Sequence, residues 1–166
     1  MNMPLRLRSA ASGLALVAGA LAVVAPAQAQ YANYLTHDPG KCRGNGPAVH
    51  VTVSGVKASR GTLRVQLYRA TKQDWLETGR WLNRIELPAR AGTMSVCMPA
   101  PGPGTYGIAI RHDVNNNDET DLTQDGGGMS NNPSINIFNL GKPSYTKAAF
   151  RLGQEVKPMS IRMRYM

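Results

Sequence analysis

The sequence predicts an all-β sandwich of about seven short strands, and three observations support this fold class. Several segments alternate apolar and polar residues, which is the period of a strand with one buried face. The 166 residues include 17 Gly and 11 Pro, which favours many turns over long helices. With 42% hydrophobic and 17% charged residues, the chain can bury one core, and wholesale disorder is excluded.

The clearest strands carry apolar residues at every second position. They are Val49, Val51 and Val53; Leu63, Val65 and Leu67; Met94, Val96 and Met98; Tyr106, Ile108 and Ile110; and Met159, Ile161, Met163 and Tyr165. Gly55 and Gly61 bracket the turn between the first two runs, so we expect these runs to pair as a hairpin. Residues 84–87 and 148–152 are weaker strand candidates, and 71–83 is the least regular segment. Short strands with frequent turns are typical of an immunoglobulin-like or transthyretin-like β-sandwich.

The amino-terminal segment is typical of an export signal. Arg6 and Arg8 precede an apolar run over residues 10–24, and Ala27 and Ala29 supply the small residues of a cleavage site. We therefore expect residues 1–29 to be a signal peptide, with a mature chain that begins at Gln30. An uncleaved membrane anchor is the alternative, although the run is short for a bilayer span. Localisation is expected to be periplasmic or secreted.

Residues 30–47 are polar and aperiodic, which predicts an extended arm in front of a sandwich domain at 48–166. The two cysteines of the chain, Cys42 in this arm and Cys97 in a predicted strand, are expected to form a disulfide in an oxidising compartment. The alternative is two free thiols. Because Met94, Val96 and Met98 share one face, Cys97 faces the other way, and a bridge to Cys42 would fasten the arm across the outside of the sheet.

Charge is distributed unevenly along this basic chain, which carries a formal net charge of +9. No Lys or Arg occurs between Arg111 and Lys142, and this stretch holds half of the ten acidic residues: Asp113, Asp118, Glu119, Asp121 and Asp125. Clustered carboxylates repel one another, so a bound cation or solvent is expected to neutralise them. The segment is also too long for an ordinary connection.

The spacing of oxygen-bearing residues in this segment resembles a calcium loop. The predicted ligands occupy alternate positions: Asp113, Asn115, Asn117, the backbone carbonyl of Glu119, and Asp121. Asp118 stands where such loops have Gly, and Gln124 where they have a bidentate Glu. The sequence therefore predicts a weak structural Ca²⁺ site, and an Asn-rich turn without metal is the alternative.

Three motifs resemble a known bacterial family. Residues 104–117 read GTYGIAIRHDVNNN, residues 128–132 read GMSNN, and residues 143–150 read PSYTKAAF. Together with Asp121, they are similar to the G-x-Y-A strand, H-D-x-N-x-N-G-x-x-D loop, G-F-S-N segment and P-x-F-x-x-A stretch of the exported domains of unknown function DUF2141. The resemblance spans about residues 49–165. It implies an exported β domain and no particular activity, and Asp118 replaces the family's usual loop Gly.

Other residues suggest alternatives to a calcium-supported module. Trp75 and Trp81 are candidates for an aromatic platform in a carbohydrate or envelope-glycan binding module. His112 and Asp113 are the only acid/base pair that would suit an enzyme, and no hydrolase or phosphate-loop motif is present. Basic residues on outward strand faces would suit envelope lipid phosphates or acidic polysaccharide, namely Arg64, Arg111, Arg162 and Arg164 with Lys41, Arg43 and Arg60. Nucleic acid is not an expected partner, and we expect a non-catalytic binding or structural role.

Overall fold

The computed structural model describes residues 31–44 and 46–166, so the predicted signal peptide lies outside the described residues. Ten strands are assigned within this part of the chain: β1 (Asn33–Leu35), β2 (Ala48–Val56), β3 (Thr62–Arg69), β4 (Asn83–Pro88), β5 (Gly92–Pro99), β6 (Gly104–Asp113), β7 (Gly126–Met129), β8 (Phe150–Leu152), β9 (Val156–Arg162) and β10 (Arg164–Tyr165). The helical segments described are one α-helix, α1 (Tyr145–Ala148), and 3₁₀ turns at Pro39–Cys42 and Ile137–Asn139.

The strands form two sheets packed as a sandwich, which confirms the predicted all-β class. The large sheet has the order β1-β4-β3-β6-β7-β10, and β8 also pairs with β6. The small sheet has the order β5-β2-β9. Pairing is antiparallel except for β1 with β4 and β2 with β9, which are parallel.

The core lies between the two sheets and is built from the predicted alternating sets. Val51 of β2 and Val65 of β3 are fully buried, as are their apolar neighbours two residues away on each strand. Complete burial of each aliphatic side chain contributes about 1.5–3 kcal/mol relative to exposure. The inner faces of both sheets are therefore closed, and polar chemistry is left to the outer faces and the loops.

The predicted hairpin between β2 and β3 is wrong. β2 pairs with β5 and β9, whereas β3 pairs with β4 and β6 in the other sheet. The physical reason is that both strands bury one apolar face, and these faces meet across the core rather than side by side. The chain crosses between the sheets through Gly61, whose φ is 75°. A Cβ there would lie 2.0 Å from the carbonyl oxygen of Asp113.

The last alternating run is divided between the sheets instead of forming one strand. β9 adds to the small sheet and β10 to the large sheet, with Met163 between them. The backbone N–H of Met163 donates to Ser54 at 2.8 Å, which holds the crossing point against β2. Ile161 and Met163 remain in the core, so the alternation is satisfied although the strand is not continuous.

The amino-terminal arm is fastened to the sandwich at two places. Residues of β1 add to the edge of the large sheet beside β4, which the aperiodic sequence did not predict. The predicted disulfide is present, with the Cα atoms of Cys42 and Cys97 5.7 Å apart. It joins the Pro39–Cys42 turn to the outer face of β5, as the parity of Cys97 predicts. Within the described residues, no helix is long and apolar enough to span a bilayer.

Candidate functional site

Residues 113–125, here called the acidic loop, follow β6 and are held together by their own Asn and Asp side chains. Asn115 and Asn117 both donate from Nδ2 to Oδ2 of Asp121, each at 2.9 Å. Their Oδ1 atoms accept from backbone N–H groups two residues ahead, those of Asn117 and Glu119. The side chain of Glu119 is exposed. Three of the five predicted ligands, Asn115, Asn117 and Asp121, therefore converge through their side chains.

Asp113, the first predicted ligand, is buried at the end of β6 with 2% of its surface exposed. Its Oδ2 accepts from the backbone N–H of Asp118 at 3.0 Å and from Arg111 at 3.2 Å. Within the described part of the chain, its Oδ1 has no hydrogen-bond partner. A buried oxygen without a partner carries a desolvation penalty of about 1–3 kcal/mol, more where it is charged. The Oδ1 atom of Asp113 is therefore a buried polar atom of the acidic loop that lacks a compensating hydrogen bond.

Asp125 closes the acidic loop, and sequence reasoning did not assign it as a site residue. Its Oδ1 accepts from the backbone N–H of Val114 and its Oδ2 from that of Asp121, both at 3.1 Å. The carboxylate thus ties the first and last turns of the loop together while being 7% exposed. The available signal was its spacing of four residues from Asp121, which lets a turn bring the two together.

The backbone of the acidic loop makes the tight turns that a wrapped ion site needs. Asn116 and Asp118 have φ angles of 57° and 62°, in the left-handed region that Asn and Asp tolerate better than most residues. Asp118 therefore adopts the conformation for which Gly is usual at that position. The substitution changes the charge of the loop and leaves its turn in place.

Two arginines connect the acidic loop to the large sheet. Arg64 and Arg111 are paired residues on β3 and β6, and like charges at opposed positions destabilise a sheet. Arg64 lies between Glu86, at 2.6 Å, and Asp118. Burial lowers the pKa of Arg64, but the hydrogen bonds to these two carboxylates and their negative charges together raise it more. For Arg84, burial and then the charge of Arg64 lower the pKa.

The described residues of the acidic loop do not bring several charged side chains together as ligands of one ion. Among residues 31–44 and 46–166, no three His, Cys, Asp or Glu side chains lie where they could hold a metal ion together. The converging groups are one carboxylate and two carboxamides, with Asp113 facing Arg111 and the Asp118 N–H instead. A cation at this loop would therefore require the carboxamides and Asp113 to exchange hydrogen bonds for metal contacts.

Both tryptophans are buried, which argues against the aromatic platform for sugar rings. Trp75 is 7% and Trp81 8% exposed. The indole of Trp75 donates to the carbonyl of Pro143 at 2.8 Å and packs where a Cβ on Gly107 would stand. The guanidinium of Arg84 lies over the ring of Trp81 at 3.7 Å. These rings cover the outer face of the large sheet.

His112 is not arranged as a catalytic group. It is fully buried, with Nδ1 2.7 Å from the hydroxyl of Tyr165 and Nε2 2.8 Å from the carbonyl of Arg60. Because both ring nitrogens are engaged by protein atoms, neither is available to a substrate or to a metal in the acidic loop. The histidine fastens β6 to the carboxyl end of the chain.

Comparisons with known proteins give one result that bears on identity. The model of the family described as "Uncharacterized protein conserved in bacteria (DUF2141)" matches residues 51–160 of the 166. Comparisons with curated proteins and with solved structures gave no match. The matched region runs from β2 through the acidic loop into β9, well over half of the chain, and the protein therefore belongs to the DUF2141 family.

Proposed function

We propose that this protein is an exported, non-catalytic β-sandwich module of the bacterial envelope whose acidic loop binds Ca²⁺ weakly and structurally. The ion orders the loop and the chain that follows it on the outer face of the large sheet. Its role is to bind or support envelope components. The chain has a formal net charge of +9, of which Arg6 and Arg8 belong to the predicted signal peptide, so the exported part remains basic and suits anionic lipid or polysaccharide at that location.

Export is supported by two independent features of the chain. Residues 1–29 have the basic, apolar and small-residue regions of a signal peptide. The disulfide between Cys42 and Cys97 is the kind that persists in oxidising compartments. We expect the chain to be recovered from the periplasm or the medium with the mass of a product that begins at Gln30. A full-length chain retained in the cytoplasm would contradict this proposal.

The unpartnered Oδ1 of Asp113 is the observation that carries the calcium proposal. It is a buried carboxylate oxygen at the first ligand position, followed by Asn115, Asn117 and Asp121, which already converge. Ca²⁺ prefers six to eight oxygen ligands in a flexible arrangement. Binding would satisfy Asp113 and replace the two amide donors on Asp121, at the cost of rearranging the carboxamides.

Thermal unfolding with and without calcium tests the proposal. For a Kd of about 1 mM, the range of weak extracellular sites, 10 mM Ca²⁺ is expected to stabilise the fold by about 1.4 kcal/mol. That corresponds to a Tm rise of about 3–6 °C for a domain of this size. Isothermal titration should give the same Kd.

Asp121→Asn and Glu119→Gln form a matched pair for this test. Both remove one negative charge from the acidic loop, but only Asp121 contributes its side chain to the proposed site. The calcium-induced rise in Tm should disappear in Asp121→Asn and persist in Glu119→Gln. Equal losses in the two variants, or the same rise with NaCl of matched ionic strength, would assign the effect to general screening and contradict the site.

A further inference from the structure

An open cleft lies on the outer face of the large sheet, beside the acidic loop. Its volume is about 300 Å³, at the lower end of the range for small-ligand pockets. Alternate residues of β3, with residues 109–111 of β6 and parts of β7, form the floor. The walls come from Leu76 and Thr78, from residues 120–122 with Asp125, and from Ile135 with residues 140–142.

One end of the cleft is cationic. Arg64 and Arg111 are paired across β3 and β6, Arg111 is paired with Gly127 of β7, and Gly127 with Arg164 of β10. This register places three arginines in one row across the floor, and Lys142 lies on the wall. The acidic residues that line the cleft are Asp121 and Asp125, so its lining has more cations than anions.

Part of this positive charge has no partner within the protein. In the described part of the chain, Arg164 and Lys142 form no ion pair with a carboxylate. The Nε–H of Arg111 is buried without an acceptor, although its other guanidinium nitrogens contact Thr120 and Asp113. A buried donor without an acceptor carries a desolvation penalty, and this donor belongs to a side chain that lines the cleft.

The other end of the floor is apolar. Tyr68 lies four residues beyond Arg64 on β3, about 13 Å away along an extended strand. It belongs to a cluster with Met129, and Leu76 and Ile135 pack against that cluster. Burial raises the pKa of Tyr68 to about 12, so its ring stays uncharged at physiological pH. The cleft therefore changes from cationic to apolar along its length.

The rim of the cleft exposes apolar surface. Leu122, Leu140 and Met166 line it and are 40%, 69% and 43% exposed. They are three of the five large hydrophobic side chains exposed within the described residues. Leu122 and Met166 converge near Gly141, where a Cβ would lie 3.8 Å and 4.0 Å from them. Exposed apolar side chains gathered at one opening mark a binding site rather than ordinary surface.

We propose that this cleft binds a small amphiphilic anion, a medium-chain alkyl carboxylate. The carboxylate would lie on the row of arginines, and the aliphatic tail would run between Leu76 and Ile135 toward Tyr68. Guanidinium groups recognise carboxylates through charge-assisted hydrogen bonds. Leu76, Met129 and Ile135 form an apolar surface around Tyr68 at that end, which favours an alkyl tail, with Gln66 and Thr78 as its polar neighbours.

Calorimetric titration with three probes tests both halves of the ligand. Decanoate carries head and tail, decanol the tail alone, and acetate the head alone. Decanoate is expected to bind at least about tenfold more tightly than decanol, because one charge-assisted hydrogen bond is worth that factor. It is expected to exceed acetate by at least about the same factor, because acetate lacks the alkyl tail that the apolar end buries. Equal affinity for decanoate and decanol, or no binding of decanoate at millimolar concentration, overturns the proposal.

Variants at each end of the cleft locate the binding. Arg164→Gln removes an unpaired cation of the row and should weaken decanoate binding roughly threefold to tenfold. Arg162→Gln is the matched control, since Arg162 is also exposed, lies at the end of β9 in the small sheet and does not line the cleft. Leu76→Asn should weaken decanoate by about tenfold, and Asn suits the φ of 59° at this position. Equal effects of Arg164→Gln and Arg162→Gln overturn the assignment.

An alkyl chain with an anionic head reaches the cleft either as a free carboxylate in solution or as a lipid of a membrane surface. Displacement of the protein by decanoate from anionic phosphatidylglycerol vesicles would support the cleft with a lipid as the source. Binding to these vesicles without binding to decanoate would overturn the proposal in favour of a membrane surface. All titrations are repeated with Ca²⁺ and with a chelator, so that failure of the calcium proposal and failure of this one are separable.

Discussion

The two outer faces of the sandwich are covered in different ways. The small sheet is covered by the amino-terminal arm, which a disulfide joins to β5, and His50 and Ser95 are in exposed contact between two of its strands at 2.7 Å. The large sheet is covered by loops that no disulfide fastens to it, and these loops lie over a row of arginines. Within the described residues, three buried side-chain atoms have no hydrogen-bond partner, Arg111 Nε, Asp113 Oδ1 and Trp81 Nε1, and all three lie at this sheet. We infer that the first covering stabilises the fold and the second is built for ligands.

The largest expected effect on stability comes from removing the disulfide that joins the amino-terminal arm to the small sheet. Cys42→Ser with Cys97→Ser opens a link between residues 55 apart in sequence. The chain-entropy model gives a loss of about 4 kcal/mol in the free energy of unfolding, to be measured by urea denaturation. Below the transition, the variant should keep its response to Ca²⁺ and decanoate, since neither site contains the arm. Loss of both responses in the folded variant would mean that the two outer faces are coupled.

How far the sequence predicted the fold depends on whether a feature is local. Parity along Val49 to Val53 or Thr93 to Met98 identifies the buried face, and it placed Cys97 on the outside of its strand correctly. Parity does not identify the neighbouring strand, because a strand with one apolar face can pair beside another or pack across the core from it. That ambiguity explains why the β2–β3 hairpin was wrong and why the last run was divided at Met163.

The candidate site follows the same rule. Asn115, Asn117 and Asp121 are joined by hydrogen bonds that close within seven residues, whereas their role as metal ligands stays a prediction. Arg64 comes from a strand some fifty residues earlier, and only the register of β3 with β6 brings it to the acidic loop. The cleft was not predicted for the same reason. The burial of Trp75 depends on a long-range contact with Pro143 that no local pattern encodes.

The next largest expected effect is a dependence of stability on pH, which tests whether Tyr68 is buried at the apolar end of the cleft. Burial raises the pKa of Tyr68 to about 12 from an ordinary value of 10.0. The unfolded chain therefore loses this proton near pH 10, whereas the folded chain keeps it until about pH 12. The contribution is present below pH 10 and is lost as pH rises through 12, amounting to about 2–3 kcal/mol.

Urea denaturation at pH 9, 10, 11 and 12 measures that loss, with Tyr68→Phe as the comparison. The variant should lose less stability over the interval, because it has no hydroxyl to ionise at this position. Burial also raises the pKa values of Tyr106 and Tyr165, so part of the decline remains in the variant. If the pH profiles of the wild-type protein and of Tyr68→Phe were parallel, Tyr68 would be hydrated rather than buried. That result would also contradict the proposed apolar end of the cleft.

The smallest expected effect on stability concerns the link between the loop and the row of arginines. Asp118→Asn removes the carboxylate that pairs with Arg64 and keeps a side chain suited to the φ of 62°. Because 81% of the Asp118 side chain is exposed, the ion pair is worth at most about 1 kcal/mol, measurable by urea denaturation. Asp118→Gly should be equal to Asn or slightly more stable, since Gly adopts this conformation without strain.

The same substitution should have the opposite effect on binding. Without Asp118, Arg64 retains Glu86 as its carboxylate partner and turns more of its positive charge toward the cleft, so affinity for decanoate should rise about threefold. If the Arg64–Asp118 pair served only stability, removing it would lower the free energy of unfolding and leave the affinity for decanoate unchanged. Unchanged decanoate affinity in both Asp118 variants would therefore show that the Arg64–Asp118 pair serves only stability and that Arg64 does not contribute its charge to the binding of decanoate.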